Sequence, residues 1–365
     1  MNPQRKVLVA GASGVVGYAA VKHFASLPGW DVVGVARRPP TDVPGADMLS
    51  VDLAEAGRAA SVLAELADVT HVVYAALYEK PGLVAGWFER DQMERNLTML
   101  RNLIEPLEAS QRLEHVSLLQ GTKAYGAHVG PIELPGRESR PRHPHENFYW
   151  LQEDYLRERQ RGASWDFTIL RPQVVFGEAM GSNMNAIPAL GVYAALQRWA
   201  GRPLDYPGGA PFVAEAVDAD LLARALHWAA TTPGCRGETF NITNGDVFTM
   251  RNVWPAIADA LGMEVGDDVP MALSVEMPKR QDTWAEVVRQ FDLAAPVDLG
   301  RFVGQSFIYA DLLLGHGFDK PPPPTLVSTI KARQAGFGDC IDTEDMFRRL
   351  IGRLQERQLL PPKRW

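Results

Sequence analysis

Cysteine is nearly absent from this chain: two residues in 365, Cys235 and Cys340, neither in a CxxC pair nor in a Cys/His cluster. That count excludes a disulfide framework. It also leaves too few ligands for a cysteine-based metal site, which needs about four. No metal is expected, and a reduced, cytoplasmic protein is the simpler reading. Sustained basic runs are missing as well. The formal net charge is −7, and pairs such as Arg37-Arg38 are too short to attract nucleic acid or an anionic membrane. Long apolar stretches are also lacking. The opening residues Met1–Lys6 lead into a short apolar run broken by Gly11, too brief for a signal segment or a membrane span. What is present is a 46% hydrophobic, 22% charged composition, ordinary for a globular protein with a sizeable core. The length suits two domains, or one α/β domain with an added lobe.

Through the first 170 residues, short apolar runs alternate with amphipathic segments. Lys6–Ala10, Asp31–Ala36, Asp47–Val51, Thr70–Ala76, His115–Gln120 and Asp166–Leu170 read as strands. Tyr18–Ser26, Glu55–Leu66, Arg90–Leu107 and Tyr149–Gln160 read as helices. This alternation predicts a parallel sheet with helices on both faces. After Pro172 the pattern loosens. A helix is expected near Val192–Trp199 and another at Asp218–Ala229, with a strand at Thr239–Thr243. Mostly helical sequence follows from Asn252, and Pro321–Pro324 is read as a rigid turn. The expected architecture is a Rossmann doubly wound parallel sheet with a smaller, mostly helical C-terminal substrate-binding cap. The nucleotide-binding core is drawn at 1–176, completed by 212–246, and the cap at 177–211 and 247–365.

Gly11-Ala12-Ser13-Gly14-Val15-Val16-Gly17 has GxxGxxG spacing between a buried strand and a helix. Glycines there allow a sharp turn and close approach to a pyrophosphate, while the helix N-terminus offers free N–H groups to it. About 20 residues on, NAD-binding chains carry an acid for the ribose hydroxyls. Ala36, Arg37 and Arg38 stand here instead. Guanidinium groups bind a 2′-phosphate, so the expected cofactor is NADPH. Asp52, after the third strand and before Leu53, is placed either to accept from an adenine amine or simply to make a turn. Leu53 and Ala75, the latter near the end of the fourth strand, are also expected to contact the cofactor. Pro172 and Val174 follow the sixth, where backbone groups would pass the nicotinamide carboxamide.

A reductase of this fold needs a tyrosine with a nearby cation. The usual Tyr-x-x-x-Lys is missing. Tyr149 is followed four residues later by Glu153, a carboxylate expected to raise the tyrosine pKa. The cation must come from elsewhere, and Lys123, in Gly121-Thr122-Lys123-Ala124-Tyr125-Gly126, lies at the C-terminal end of the fifth strand where such ligands bind. The eight histidines look scattered and unpaired, structural or exposed. Met and aromatic residues of Phe176–Trp199 serve either a pocket or the core.

These two motifs, Gly-Thr-Lys-Ala-Tyr-Gly and Asn147-Phe148-Tyr149-Trp150-Leu151-Gln152-Glu153-Asp154, resemble the progesterone 5β-reductase/iridoid synthase-like family of atypical short-chain dehydrogenases/reductases. Val35–Arg38, Leu170–Pro172, Gly191–Ala195, Asp218–Leu221 and Phe240–Phe248 add to the likeness, which runs along nearly the whole chain. The resemblance implies NADPH-dependent 1,4-reduction of enones or enals, with Lys123 and Tyr149 catalytic and a small apolar unsaturated carbonyl as substrate. Asn96, Phe148 and Phe337 are expected at the substrate pocket, with a plain polar helix-face residue the open alternative for Asn96 and core packing the open alternative for Phe337. Ala124 replaces the family's histidine and Gln173 a glycine, changes that reshape a pocket without removing a catalytic group. Three other readings stay open at this stage: a sugar epimerase or dehydratase, a carbonyl 1,2-reductase, and a non-catalytic NADP(H) sensor. Monomer and homodimer are both compatible with the sequence.

Overall fold

The structure is a computed structural model that describes residues 5–365. Residues 1–4, with which the expected first domain begins, lie outside the described residues. In chain order the elements are β1 (Arg5–Ala10), α1 (Val15–Ala25), β2 (Trp30–Ala36), β3 (Asp47–Ser50), α2 (Ala56–Ala64), β4 (His71–Tyr74), α3 (Arg90–Glu108), β5 (His115–Leu119), α4 (Phe148–Gln160) and β6 (Asp166–Pro172). Then come β7 (Val174–Phe176), α5 (Ala186–Trp199), β8 (Leu204–Tyr206), β9 (Ala216–Asp218), α6 (Ala219–Thr231), β10 (Thr239–Ile242), α7 (Met250–Leu261) and β11 (Val265–Asp268). The chain closes with α8 (Leu273–Glu276), α9 (Gln281–Gln290), α10 (Leu299–Val303), α11 (Ser306–Leu313), α12 (Ile330–Gln334) and α13 (Thr343–Glu356).

Two compact units result. The first comprises Met1–Gln173, Ala219–Ile242 and Val327–Asp339. Its sheet has the order β10-β6-β5-β4-β1-β2-β3, every pairing parallel. Val7 to Ala10 of β1 are fully buried, as a strand covered by helices on both faces requires. α1 packs with α6, while α2, α3 and α4 pack in succession, and a core of Val, Leu and Ile with Trp165 and Phe167 fills the space beneath that second layer. The chain runs outward from β1 to β3 and then returns to β4 beyond β1. This reversal opens a crevice at the C-terminal ends of β1 and β4, the place where open α/β sheets take their ligands.

The second unit comprises Val174–Asp218, Thr243–Leu326 and Cys340–Trp365. It is built around α5, whose residues Ala186–Gln197 are all buried, with Trp254, Trp284, Phe302 and Phe347 among the largest enclosed side chains. The residues expected either to line a pocket or to pack along this helix therefore pack. The unit also holds short strand pairs, β7 with β9 and β8 with β11, beside its helices. Its boundaries differ from those expected. Residues 174–176, 212–218 and 243–246 belong with it, and 327–339 belong to the sheet unit, where α12 contacts β10. Pro321–Pro324, expected as a rigid turn, carries neither a turn nor any other regular structure.

Candidate active site

Gly11 leaves β1 with φ +82, and a Cβ on it would lie 2.5 Å from the Ala75 carbonyl oxygen, so glycine alone brings these two loops together. A Cβ on Gly17 would collide with the Gly11 carbonyl, which lets α1 press against the turn. Gly14 caps α1 with extended backbone and no side-chain bond, leaving the first N–H groups of the helix, at Val15, Val16 and Gly17, aimed out of its end beside Ser13. Arg37 and Arg38 are exposed directly after β2, and neither guanidinium is held by a carboxylate among the described residues. A glycine cradle at a helix end fits the pyrophosphate of a dinucleotide. Asp52 is half-buried and closes a turn, its Oδ1 accepting from the Ala54 N–H at 2.9 Å, while the Leu53 carbonyl accepts from Asn102 at 2.7 Å.

Across the crevice, Asn147 has extended backbone, and its side chain accepts from the Tyr149 N–H at 3.0 Å, which starts α4 one residue before Tyr149. Phe148 is buried edge-to-face against Tyr149, ring centroids 4.5 Å apart. The tyrosine hydroxyl reaches the end of β5. A Cβ on Gly121 would come within 3.2 Å of that hydroxyl and 3.5 Å of the Pro172 carbonyl oxygen. Lys123, two residues on, lays its ammonium over the Trp87 ring, 3.5 Å from the centroid. Burial lowers its pKa to about 8, against the opposing charge of Glu79. Tyr149, Gly121, Lys123 and Pro172 are thus brought to one edge of the sheet.

Glu153 does not act as an unbalanced charge beside Tyr149. Its carboxyl is 5% exposed and lies 2.9 Å from Arg142, 2.9 Å from Arg157 and 3.8 Å from Arg171. Gln120 donates to it at 2.9 Å and in turn accepts from the buried Arg171 at 2.8 Å. Burial alone would raise this carboxyl, but Arg142, Gln120 and Arg157 together hold it below the ordinary range. The result is a rivet between α4, β5 and β6.

Several expectations are corrected. Asn96 is fully buried and does not face a pocket. Its Oδ1 accepts from the Tyr78 N–H at 2.8 Å and its Nδ2 donates to the carbonyls of Tyr78 and Gln92. Phe337 packs against Trp228 of α6, 5.3 Å between ring centroids, and Trp228 packs on Phe240, so Phe337 is core of the sheet unit on the α1/α6 side, away from α4. Val174 lies in β7, paired with Ala216 in the second unit. Nor are the histidines unpaired. His143 and His145 bring their Nδ1 atoms to 2.8 Å, and His128 stacks edge-on to His145 at 4.8 Å. His71 faces His115 and His23 faces His227. Glu79, Trp87 and the His128/His143/His145 group escaped the sequence reading because loops assemble them; only the density of aromatic and titratable residues around 79–89 and 143–150 signals them.

A parallel dinucleotide-type sheet with a tyrosine and a lysine at its carboxyl edge defines an NAD(P)-dependent protein of the short-chain dehydrogenase/reductase type. Residues 7–243 match the NAD dependent epimerase/dehydratase family. The chain is 31% identical to (S)-8-oxocitronellyl enol synthase of Antirrhinum majus, over 98% of this chain and 93% of that one. It is 35% identical to 3-oxo-Delta(4,5)-steroid 5-beta-reductase of Arabidopsis thaliana, over 78% and 77%. It therefore belongs to the progesterone 5β-reductase/iridoid synthase-like reductases within that larger family. In fold it is similar to UDP-glucose 4-epimerases of Thermotoga maritima (TM-score 0.66, 16% identity, 96% of this chain and 99% of that) and of Thermus thermophilus, solved with NAD (0.64, 18%, 95% and 97%).

Proposed function

We propose that this chain is an NADPH-dependent reductase of activated C=C bonds, adding hydrogen 1,4 across enones or enals. The observation that carries the reading is the Tyr149 hydroxyl beside Gly121, with Lys123 two residues beyond, in a chain whose relatives are named for reduction of a steroid and for synthesis of an enol. Bound NADPH would supply the hydride. Tyr149 donates a hydrogen bond to the substrate carbonyl oxygen, where charge gathers as the enolate forms, and the Lys123 ammonium adds a positive field there; such oriented donors are often the largest single contribution to catalysis. The proton that completes the saturated product comes from water at the α-carbon. Arg37 and Arg38, without a carboxylate partner among the described residues, support selection of the 2′-phosphate over plain NAD. The two free cysteines support a reducing, cytoplasmic setting.

The test is a panel of small activated alkenes, such as cyclohexenone and methyl vinyl ketone, with NADPH or NADH and products identified by mass spectrometry. Saturated ketone formed with NADPH and little with NADH is the expected result. Allylic alcohol as the product would move the reading to a carbonyl reductase. Tight NADPH binding with no turnover across the panel would count against the reductase reading.

A further inference from the structure

The segment joining β4 to α3 carries a carboxylate that the mechanism above does not use. Glu79 lies between two clamped neighbours. The Tyr78 N–H donates to Asn96 Oδ1 at 2.8 Å, and the Lys80 N–H donates to Gln92 Oε1 at 2.8 Å. Asn96 and Gln92 are four residues apart on α3, so one face of that helix holds both flanks of Glu79. The Lys80 ammonium is tied to Asp91 at 2.6 Å and to Glu89, which fixes the far side of the loop. The Glu79 carboxyl itself accepts from the Trp87 indole N–H at 3.0 Å and from Gln92 Nε2 at 3.4 Å, both at Oε2. Its Oε1 is enclosed and has no hydrogen-bond partner among the described residues. The Trp87 ring that donates to Glu79 by its edge carries the Lys123 ammonium on its face, 3.5 Å from the centroid.

We propose that Glu79 and Trp87 are positioning residues for Lys123: the indole face seats the ammonium, the indole N–H orients the carboxylate, and the carboxylate keeps Lys123 protonated at working pH. The proposal rests on the reductase reading for its meaning, but not for its test. Burial lowers Lys123 to about 8, opposed by Glu79, and burial raises Glu79, opposed in turn by Lys123. Each group therefore supports the charged form of the other. Without the carboxylate, a lysine enclosed in this way would lose its proton at lower pH.

The other titratable groups facing Lys123 do not replace that support. His128 lies on its own loop, and burial holds it at about 4, with His145 and Lys123 itself contributing. His145, from the loop before α4, lies with its Nδ1 2.8 Å from that of His143 and is lowered first by burial and then by His143. Both rings are neutral near pH 7. Tyr149, from α4, presents its hydroxyl at Gly121. Glu79 is the carboxylate that acts on Lys123.

The test is competitive acetylation of lysines on the full chain at a series of pH values, read by mass spectrometry, with exposed Lys320 as internal standard. The parent is compared with Glu79→Gln, Glu79→Asp and Trp87→Phe. Glu79→Gln is expected to lower the Lys123 midpoint by about one pH unit. Glu79→Asp restores part of it, and Trp87→Phe, which keeps an aromatic face but loses the indole N–H, moves it less in the same direction. In turnover assays the alkaline limb of kcat/KM for NADPH moves down with the midpoint. An unchanged Lys123 midpoint in a folded Glu79→Gln or Trp87→Phe chain overturns the proposal, as does an activity loss equal at every pH. The labelling needs no turnover, so a chain inactive on every alkene contradicts the reductase reading alone, while an active chain with an unmoved midpoint contradicts the pair alone.

Discussion

Replacing Glu153 by leucine leaves Arg171 buried without its carboxylate. Arg142 and Arg157, 36% and 44% exposed, can turn to water and lose little. Arg171, 8% exposed, cannot. It keeps two neutral acceptors, Gln120 at 2.8 Å and the Tyr125 hydroxyl at 3.4 Å. Breaking a buried pair costs about 3–5 kcal/mol, and the retained acceptors place this case at the low end, about 3 kcal/mol. Because the chain forms two compact units, the measure is hydrogen exchange of backbone amides in α4 and β6, which reports the local opening of those elements. Protection there is expected to fall roughly a hundredfold, the equivalent of that energy. Pairing the change with Arg171→Met removes the orphaned charge and is expected to restore most of the loss, since apolar replacement of a whole buried pair is often neutral. Protection that falls less than about fivefold in the single variant (about 1 kcal/mol), or losses that simply add in the double, would refute the argument that Glu153 rivets α4 by neutralising Arg171.

Three further outcomes are expected. Tyr149→Phe lowers kcat by on the order of a hundred- to a thousandfold with the KM for NADPH unchanged, and near-normal steady-state turnover would remove the hydroxyl from the chemistry. Arg37→Ala with Arg38→Ala raises the KM for NADPH roughly ten- to a hundredfold and leaves NADH kinetics alone; equal effects on both cofactors would contradict phosphate recognition. Burial, with the Arg5 charge, lowers His71 from 6.5 to about 4, and burial, with His71, lowers His115 to about 3. Both rings fold neutral, so their contribution is complete above pH 6.5 and is lost as pH falls toward those values, by about 1.4 kcal/mol per pH unit per ring. Urea midpoints measured from pH 7 to pH 4.5 are expected to fall steeply in the parent and less steeply in His115→Phe.

The sheet unit was legible because its signals are local. β1 and β2 are continuous apolar runs that need burial on both faces, and the glycines between β1 and α1 announce a turn only they permit. The observed strands begin and end within two residues of those expected. The second unit was less legible for a physical reason. α5 is buried all round, so it has no amphipathic period, and its start at Ala186 was missed by six residues although Asn185 caps it and Pro188 sits in the first turn, where its missing N–H costs nothing. β7, β8 and β9 have three residues each, too few to show alternation. At the site, Tyr149 and Lys123 were readable from motifs, but Glu79 and Trp87 come from a loop between elements. The return of residues 327–339 to the sheet unit is a long-range event that no local pattern records, and it carried Phe337 into the core. The likeness at Asn96 does not tell a ligand contact from a structural one, because polarity on a helix face looks the same in either case; its side chain bonds the Tyr78 and Gln92 backbone.

The most direct test of the central claim is transfer of deuterium from NADPH labelled at the nicotinamide C4 to cyclohexenone, with the label located in the product by mass spectrometry and NMR. The account predicts cyclohexanone carrying deuterium at the β-carbon, made by the parent and lost in Tyr149→Phe. Deuterium on the carbinol carbon of cyclohexenol, or transfer that persists undiminished in Tyr149→Phe, would contradict it.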